Sequence, residues 1–313
     1  GLREEQIMLF AVFFGSAAIY SFLYIYFGQY QALGKVYWWS LPIVYIVCLI
    51  IAVLLFFLMA FIVSLFSRPD KDLARPRTFQ RRVTNWACQF VLQLCRVDIV
   101  LKHPEMLPQD KKYLLVCNHQ SNIDPFAILW AFRKQHITFI MKNQVMKVPV
   151  AGTWLYSAGY LPLNRSSNRE AVETINLAAK RIEENKHIIA IFPEGTRSKG
   201  PDMGSFHPGS LKIAQKAQCP IVVCCLDNAY KLKYSHIFKR TKVLVEVVKV
   251  IEPADYEGMK TIEMADICRD AIKEVMEHRR EQYEWLKKMT TEDFEDAKKV
   301  GHFRTKDIKQ KDK

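Results

Sequence analysis

Thirty consecutive residues, Tyr37 to Phe66, include no charged side chain. As a helix this stretch would be ~45 Å long, against ~30 Å for the hydrocarbon core of a bilayer. A second uncharged stretch, the 21 residues Ile7 to Phe27, comes before it, and would span ~31 Å as a helix. Such segments can fold only where lipid or a large protein interior takes up their apolar surface. The longer one exceeds a core helix and reads as a membrane span that tilts or kinks at Pro42. The shorter one could be a cleaved signal peptide, but Arg3 is offset by Glu4 and Glu5. Its apolar run is also long for that purpose. Two spans joined as a hairpin are the expectation.

The chain holds 45 Lys and Arg against 32 Asp and Glu, a net charge of +13. Between the uncharged stretches, Gly28 to Val36 carries only Lys35. After the second come Arg68, Lys71, Arg75, Arg77, Arg81 and Arg82, opposed by Asp70 and Asp72 alone. Basic residues stay on the cytoplasmic side of a membrane, so both ends of the hairpin are expected there. The same cluster would attract anionic headgroups. A basic surface can also mark a nucleic-acid binder, but these arginines abut a membrane span and no nucleic-acid motif is present. The expectation is an integral membrane protein with membrane lipids, not nucleic acid, as partners. The setting expected is a bacterial cell membrane, or the endoplasmic reticulum in a eukaryote.

Downstream, short apolar runs alternate with helical patterns. Tyr113–Val116, Ile137–Met141, Ile188–Phe192, Ile221–Leu226 and Val243–Ile251 read as strands. Pro125–Arg133, Asn168–Asn185 and Pro208–Ala217 read as helices. That alternation predicts an α/β domain with a central sheet flanked by helices. Thr78 to Val100 reads as one helix with a stripe of Phe79, Val83, Trp86, Phe90, Val91 and Leu94, suited to a domain surface or to a membrane interface. The expected organisation is a two-span anchor (1–67), a basic linker with an interfacial helix (68–97), the α/β domain (98–260), a C-terminal helix (261–289) and a charged mobile tail (290–313). Eight cysteines form no Cys-x-x-Cys pair. They read as reduced, small apolar residues, and Cys224 and Cys225 should point to opposite faces of a strand.

Three polar clusters follow strand-like runs. Cys117-Asn118-His119-Gln120-Ser121-Asn122-Ile123-Asp124-Pro125 places a histidine in the turn leaving a strand, where open α/β sheets bind ligands. There His119 can take a proton near neutral pH, and Asp124 can fix its tautomer. The plainer reading makes His119 a turn residue and Asp124-Pro125 a helix start, with Asp124 capping free amides. Phe192 to Ser198 offers Gly195 for unusual backbone angles, the Thr196 hydroxyl and the planar fork of Arg197 for a phosphate. Glu194 could orient Arg197 or accept from a hydroxyl; an ordinary turn with a surface ion pair is the alternative. Gly159 to Arg165 supplies another arginine, and Lys142 ends a strand. One base among several cations suggests proton abstraction from a substrate that carries phosphate.

In their order, these clusters resemble the glycerolipid acyltransferase family, specifically the 1-acyl-glycerol-3-phosphate acyltransferases. Asn118 through Asp124 is similar to that family's His-x4-Asp motif, Gly159 through Arg165 to its Gly-x5-Arg motif, and Glu194 through Ser198 to its third. Phe206, Gly209, Leu211 and Ala214 resemble the segment after the third motif. In the fourth, Pro220 is kept, but Cys224 stands where a second proline is expected. The resemblance covers about residues 80 to 250 and implies a glycerolipid-acyltransferase-like domain.

It further implies transfer of an acyl group from acyl-CoA or acyl carrier protein to the sn-2 hydroxyl of lysophosphatidic acid, with no cofactor and no metal. His119 would be the base and Asp124 its orienting carboxylate. Arg165, Arg197, Glu194, Gly195, Thr196 and Lys142 would bind the acceptor. No acyl-enzyme is required, and Ser121 lacks the elbow of a hydrolase nucleophile. Backbone amides near Gly195 or after Asp124 are candidates for the oxyanion. Another lysophospholipid or glycerol 3-phosphate is the alternative acceptor, and a membrane-anchored lipid-binding protein the non-enzymatic alternative.

Overall fold

The computed structural model of the chain describes residues 14–65, 78–148, 151–164, 166–185, 187–235, 239–290 and 293. Two compact units are present, residues 1–69 with 148–154 and residues 70–147 with 155–313. In the first, helix α1 (14–23) continues through a wider π-helical stretch, Tyr24–Gln31, and ends before a left-handed Gly34. Helix α2 (Leu41–Leu65) follows after the single turn Trp38–Ser40. Gln29 ties the connection together, donating from Nε2 to Ser40 Oγ at 2.8 Å and accepting from Tyr37 N at 2.9 Å. Pro42 lies in the first turn of α2, where its missing N–H costs nothing, and so does not kink the helix.

Among the described residues, α2 is the one helix long and apolar enough to cross a membrane, and little of it is covered by protein. Ile43, Ile46, Ile50, Leu54 and Leu58 are all more than half exposed. Residues 7–13 of the first uncharged stretch and most of the basic cluster (Arg68, Lys71, Arg75 and Arg77) lie outside the described residues.

The second unit begins with helix α3 (Thr78–Leu94). The helical reading of Thr78–Val100 needs correction: Arg96 adopts a left-handed φ of 53°, and Val97 opens a strand. The buried side of α3 is also rotated from the expected stripe. Cys88 and Leu92 enter the core, while Phe90 and Leu94 stay exposed. The seven strands are β1 (Val97–Lys102), β2 (Leu114–Cys117), β3 (Ile137–Lys142), β4 (Leu161–Leu163), β5 (Ile188–Ile191), β6 (Ile221–Asp227) and β7 (Thr241–Ile251). Helix α4 (Asp124–Ala131) follows β2; α5 (Asn143–Met146) and α6 (Ala151–Ser157) lie between β3 and β4 in the chain. Helices α7 (Asn168–Glu183), α8 (Lys212–Ala217) and α9 (Thr261–Gln282) complete the set. Ser167 caps α7 by accepting from Glu170 N.

The strands form one mixed sheet in the order β1-β7-β6-β2-β5-β3-β4. β6, β2, β5, β3 and β4 run parallel to one another. β7 turns back antiparallel to β6, and β1 runs with β7. Strand β2 is apolar at every position because helices cover both faces, as parallel strands require. Leu115 and Cys117 pack with residues of α3 and α4, whereas Leu114 and Val116 pack with residues of α7, α8 and α9. Cys224 and Cys225 divide between the same two layers. The topology has one functional consequence. The carboxyl ends of β2, β3, β4, β5 and β6 reach the same edge of the sheet; the first polar cluster follows β2, the second follows β5, and the third contains β4.

Candidate active site

The turn after β2 is held before its side chains reach the site. Asn118 is fully buried and clips to β6, donating to Leu226 O at 2.7 Å and accepting from Leu226 N at 2.8 Å. His119 follows. Its Nδ1 lies 2.7 Å from Asp124 Oδ2. The same oxygen accepts the backbone amides of Gln120 at 2.6 Å and Ser121 at 2.7 Å.

Asp124 therefore does not cap the helix it begins; α4 has no side-chain cap. It folds the five-residue loop back on itself, and the spacing of the two residues follows from that loop. A carboxylate acceptor places the histidine proton on Nδ1, which leaves the Nε2 lone pair to accept a proton. Asp124 is fully buried, and the His119 side chain is 18% exposed, open enough to meet a substrate. The ring stacks on Phe192, centroids 4.3 Å apart, and Phe192 stacks on Phe139 at 5.4 Å.

The cluster after β5 meets this turn directly. Glu194 Oε1 accepts the backbone amide of His119 at 2.6 Å, and Oε2 accepts that of Gly204 at 2.7 Å. Ser198 N donates to His119 O at 2.8 Å. His119 is thus fixed at its amide, its carbonyl and its ring. Burial raises the Glu194 carboxyl above its ordinary range, and the two amides only partly oppose this. Gly195 adopts the left-handed conformation its sequence position suggested, with φ 70°. Its amide donates to Phe192 O, so that N–H is spent within the turn and is withdrawn as an oxyanion donor.

The expected cations divide. Arg197 and Thr196 are exposed, and among the described residues Arg197 has no ion pair. Lys142 is exposed at the carboxyl end of β3, paired in register with Leu163 of β4. Arg165 lies outside the described residues, two positions past the end of β4. Gly159, opening that cluster, has φ 96°, and a Cβ there would come within 3.0 Å of the His187 ring. The sequence reading passed over Gln120, Asp227 and Arg280. Gln120 Nε2 donates to Asp227 Oδ1 at 3.0 Å, and Arg280 grips Asp227 through Nε and Nη2. Asp227 carried a usable signal, a charge ending a fully apolar strand; Arg280 carried none. Buried thiols are poor nucleophiles here: burial pushes Cys88, Cys219 and Cys268 up to about 12.

Comparison with known proteins bears on this edge of the sheet. Residues 98–227, from β1 to the last residue of β6, match the family described as acyltransferase. The match contains both His119 and Glu194. The chain is similar to the 1-acyl-sn-glycerol-3-phosphate acyltransferase of Saccharomyces cerevisiae, 32% identical over 167 residues, which are 52% of this chain and 54% of the yeast protein. It is similar to the protein of the same name from Haemophilus influenzae, 28% identical over 177 residues, 55% of this chain and 73% of that one. The crystal structure of the 1-acyl-sn-glycerophosphate (LPA) acyltransferase from Thermotoga maritima overlaps 64% of this chain and 83% of that chain, with a TM-score of 0.47 and 21% identity. The chain spans about half the length of the yeast relative. Helix α9 lies beyond the matched segment, yet its Arg280 reaches that segment's last residue, Asp227.

Proposed function

We propose that this chain transfers an acyl group from acyl-CoA or acyl carrier protein to the sn-2 hydroxyl of 1-acyl-glycerol 3-phosphate, giving phosphatidic acid. The observation that carries the reading is the His119–Asp124 pair, locked by its own loop at the edge where five parallel strands end. An alcohol is a weak nucleophile at neutral pH. His119 Nε2 takes the hydroxyl proton as the oxygen attacks the thioester carbonyl, while Asp124 holds the Nδ1 proton and stabilises the imidazolium. Collapse of the tetrahedral intermediate breaks the carbon–sulfur bond, and the imidazolium returns the proton to the departing thiolate. The products are phosphatidic acid and a free thiol, with the histidine regenerated.

Arg197 supports acceptor binding because it is exposed beside the turn and unpaired among the described residues. Its fork suits two phosphate oxygens. Arg165, Lys142 and the Thr196 hydroxyl complete the anion-binding side in this scheme. Glu194 acts by keeping the His119 backbone and the Gly204 loop in place. The names of the relatives, 1-acyl-sn-glycerol-3-phosphate acyltransferases, favour this acceptor over other lysophospholipids.

The first unit supplies the membrane anchor in this reading. Helix α2 leaves apolar side chains uncovered along its length, at ~25 cal/mol for each Å² exposed to water. Trp38 and Trp39, both at least 70% exposed at its start, suit a membrane interface. With α1 as a second span, both ends of the hairpin lie on the cytoplasmic side in this reading, because the basic residues follow the second span. Supplying purified chain with one labelled acyl donor and a panel of acceptors tests the assignment. Labelled phosphatidic acid from lysophosphatidic acid supports it; label only on another acceptor replaces the substrate, and none on any acceptor leaves the lipid-binding alternative.

A further inference from the structure

Asp227 is fully buried, and the Arg280 side chain is 10% exposed, so their ion pair lies within the protein. Arg280 donates from Nε to Asp227 Oδ2 at 2.7 Å, from Nη2 to Asp227 Oδ1 at 2.9 Å and from Nη2 to Pro201 O at 2.6 Å. Asp227 Oδ1 also accepts Gln120 Nε2 at 3.0 Å and Asn228 N at 2.7 Å. A buried charge pair is rarely the cheapest way to stabilise a fold, since well-packed apolar residues often do as well. Its connections here lead elsewhere.

From Asp227 one line runs through the Gln120 side chain to the Gln120 amide, which donates to Asp124 Oδ2. From Pro201 a second line runs along the loop to Gly204, whose amide donates to Glu194, which in turn accepts the His119 amide. Both lines start from one guanidinium and end on the two halves of the His119–Asp124 pair. We propose that Arg280 and Asp227 are positioning residues for this pair, so that α9, outside the matched segment, sets the geometry of its base. This builds on the acyl-transfer reading above.

The neighbouring residue provides an internal control. Arg279 makes a comparable fork to buried Glu246 of β7, with contacts from 2.6 to 3.2 Å, but among the described residues no hydrogen bond or ion pair links that pair to the turn after β2. Arg280→Lys keeps the charge but cannot span Asp227 and Pro201 with the same planar fork. It is expected to lower kcat by roughly tenfold or more, with both KM values within about twofold, because misplaced groups lose reactive geometry. The downfield NMR signal of the His119 Nδ1 proton should move or be lost. Arg279→Lys should leave both readings, per folded molecule, as in the wild type.

An Arg280→Lys protein whose signal and kcat match those of Arg279→Lys would overturn the proposal, reducing the pair to a structural clamp. If the wild-type chain transfers no acyl group, the acyl-transfer reading fails, and the NMR comparison alone decides the positioning role.

Discussion

Asp124 Oδ2 accepts Nδ1 of His119 at 2.7 Å while also accepting the amides of Gln120 and Ser121. One buried oxygen thus orients the ring and closes the loop that carries it. The two roles are inseparable in the wild type but respond differently to substitution.

Asp124→Asn keeps a carbonyl oxygen that can accept the same three donors, yet it removes the negative charge opposite the developing imidazolium. The variant should fold, and kcat should fall by less than it does on removing the base, which typically costs ~10²-fold or more. Asp124→Ala should also unfold at lower denaturant, because three donors lose their acceptor and the buried Gln120 amide alone costs about 1–3 kcal/mol when left unpaired. Paired denaturation and rate measurements check both outcomes. A fully active Asp124→Ala protein would contradict them.

Glu194 yields a pH dependence of stability. Its carboxyl is raised in the folded state, chiefly by burial, so between the ordinary and the raised value the folded chain holds a proton that the unfolded chain has lost. Stability from this group is therefore greatest at low pH and declines as pH rises through that window. Relative to Glu194→Gln, which cannot ionise, the wild type should lose stability as pH rises above the ordinary glutamate range, about pH 4. Urea titrations of both proteins from there upward provide the check; a constant difference would show that the carboxyl is not raised.

Parts of this arrangement were legible in the sequence for identifiable reasons. β2 is apolar at every position, and β6 is apolar from Ile221 to Leu226, because both faces are covered, so they announced themselves. Two of the three polar clusters each followed an apolar run, that of β2 or that of β5. β1 was hidden: only Cys95 and Arg96 separate it from α3, and the helical pattern appeared to continue through them. β4, three residues long, offers too little periodicity to detect. Asp124 read equally as a helix cap or a partner of His119, and only the path of the loop decides between them. Arg280 and Asp227, 53 positions apart, have no local pattern at all, because sequence shows side chains but not which distant strand end they reach.

Arg197→Lys separates phosphate gripping from base chemistry. Lysine keeps the charge but loses the two-pronged geometry. The KM for lysophosphatidic acid should rise about tenfold while that for the acyl donor changes little. Varying each substrate in turn gives both constants. A rise confined to the acyl donor would move Arg197 to the thioester side of the site.

The orientation of the proposed anchor is open to chemical labelling. A single cysteine at Gln31, near the end of the first helix, should react with a membrane-impermeant reagent added outside intact bacterial cells expressing the chain. One at Glu284, exposed after α9, should react only once the cells are opened. The reverse pattern would invert the topology read from the basic cluster.

The most direct test of the account concerns the base itself. Wild-type chain and His119→Ala, both purified in detergent and matched for folded content, are supplied with labelled acyl-CoA and lysophosphatidic acid, and labelled phosphatidic acid is followed over time. The account predicts turnover by the wild type and a loss of ~10²-fold or more in the variant, with thermal unfolding little changed because the ring contributes stacking on Phe192 and one hydrogen bond. Near wild-type turnover by His119→Ala would contradict it.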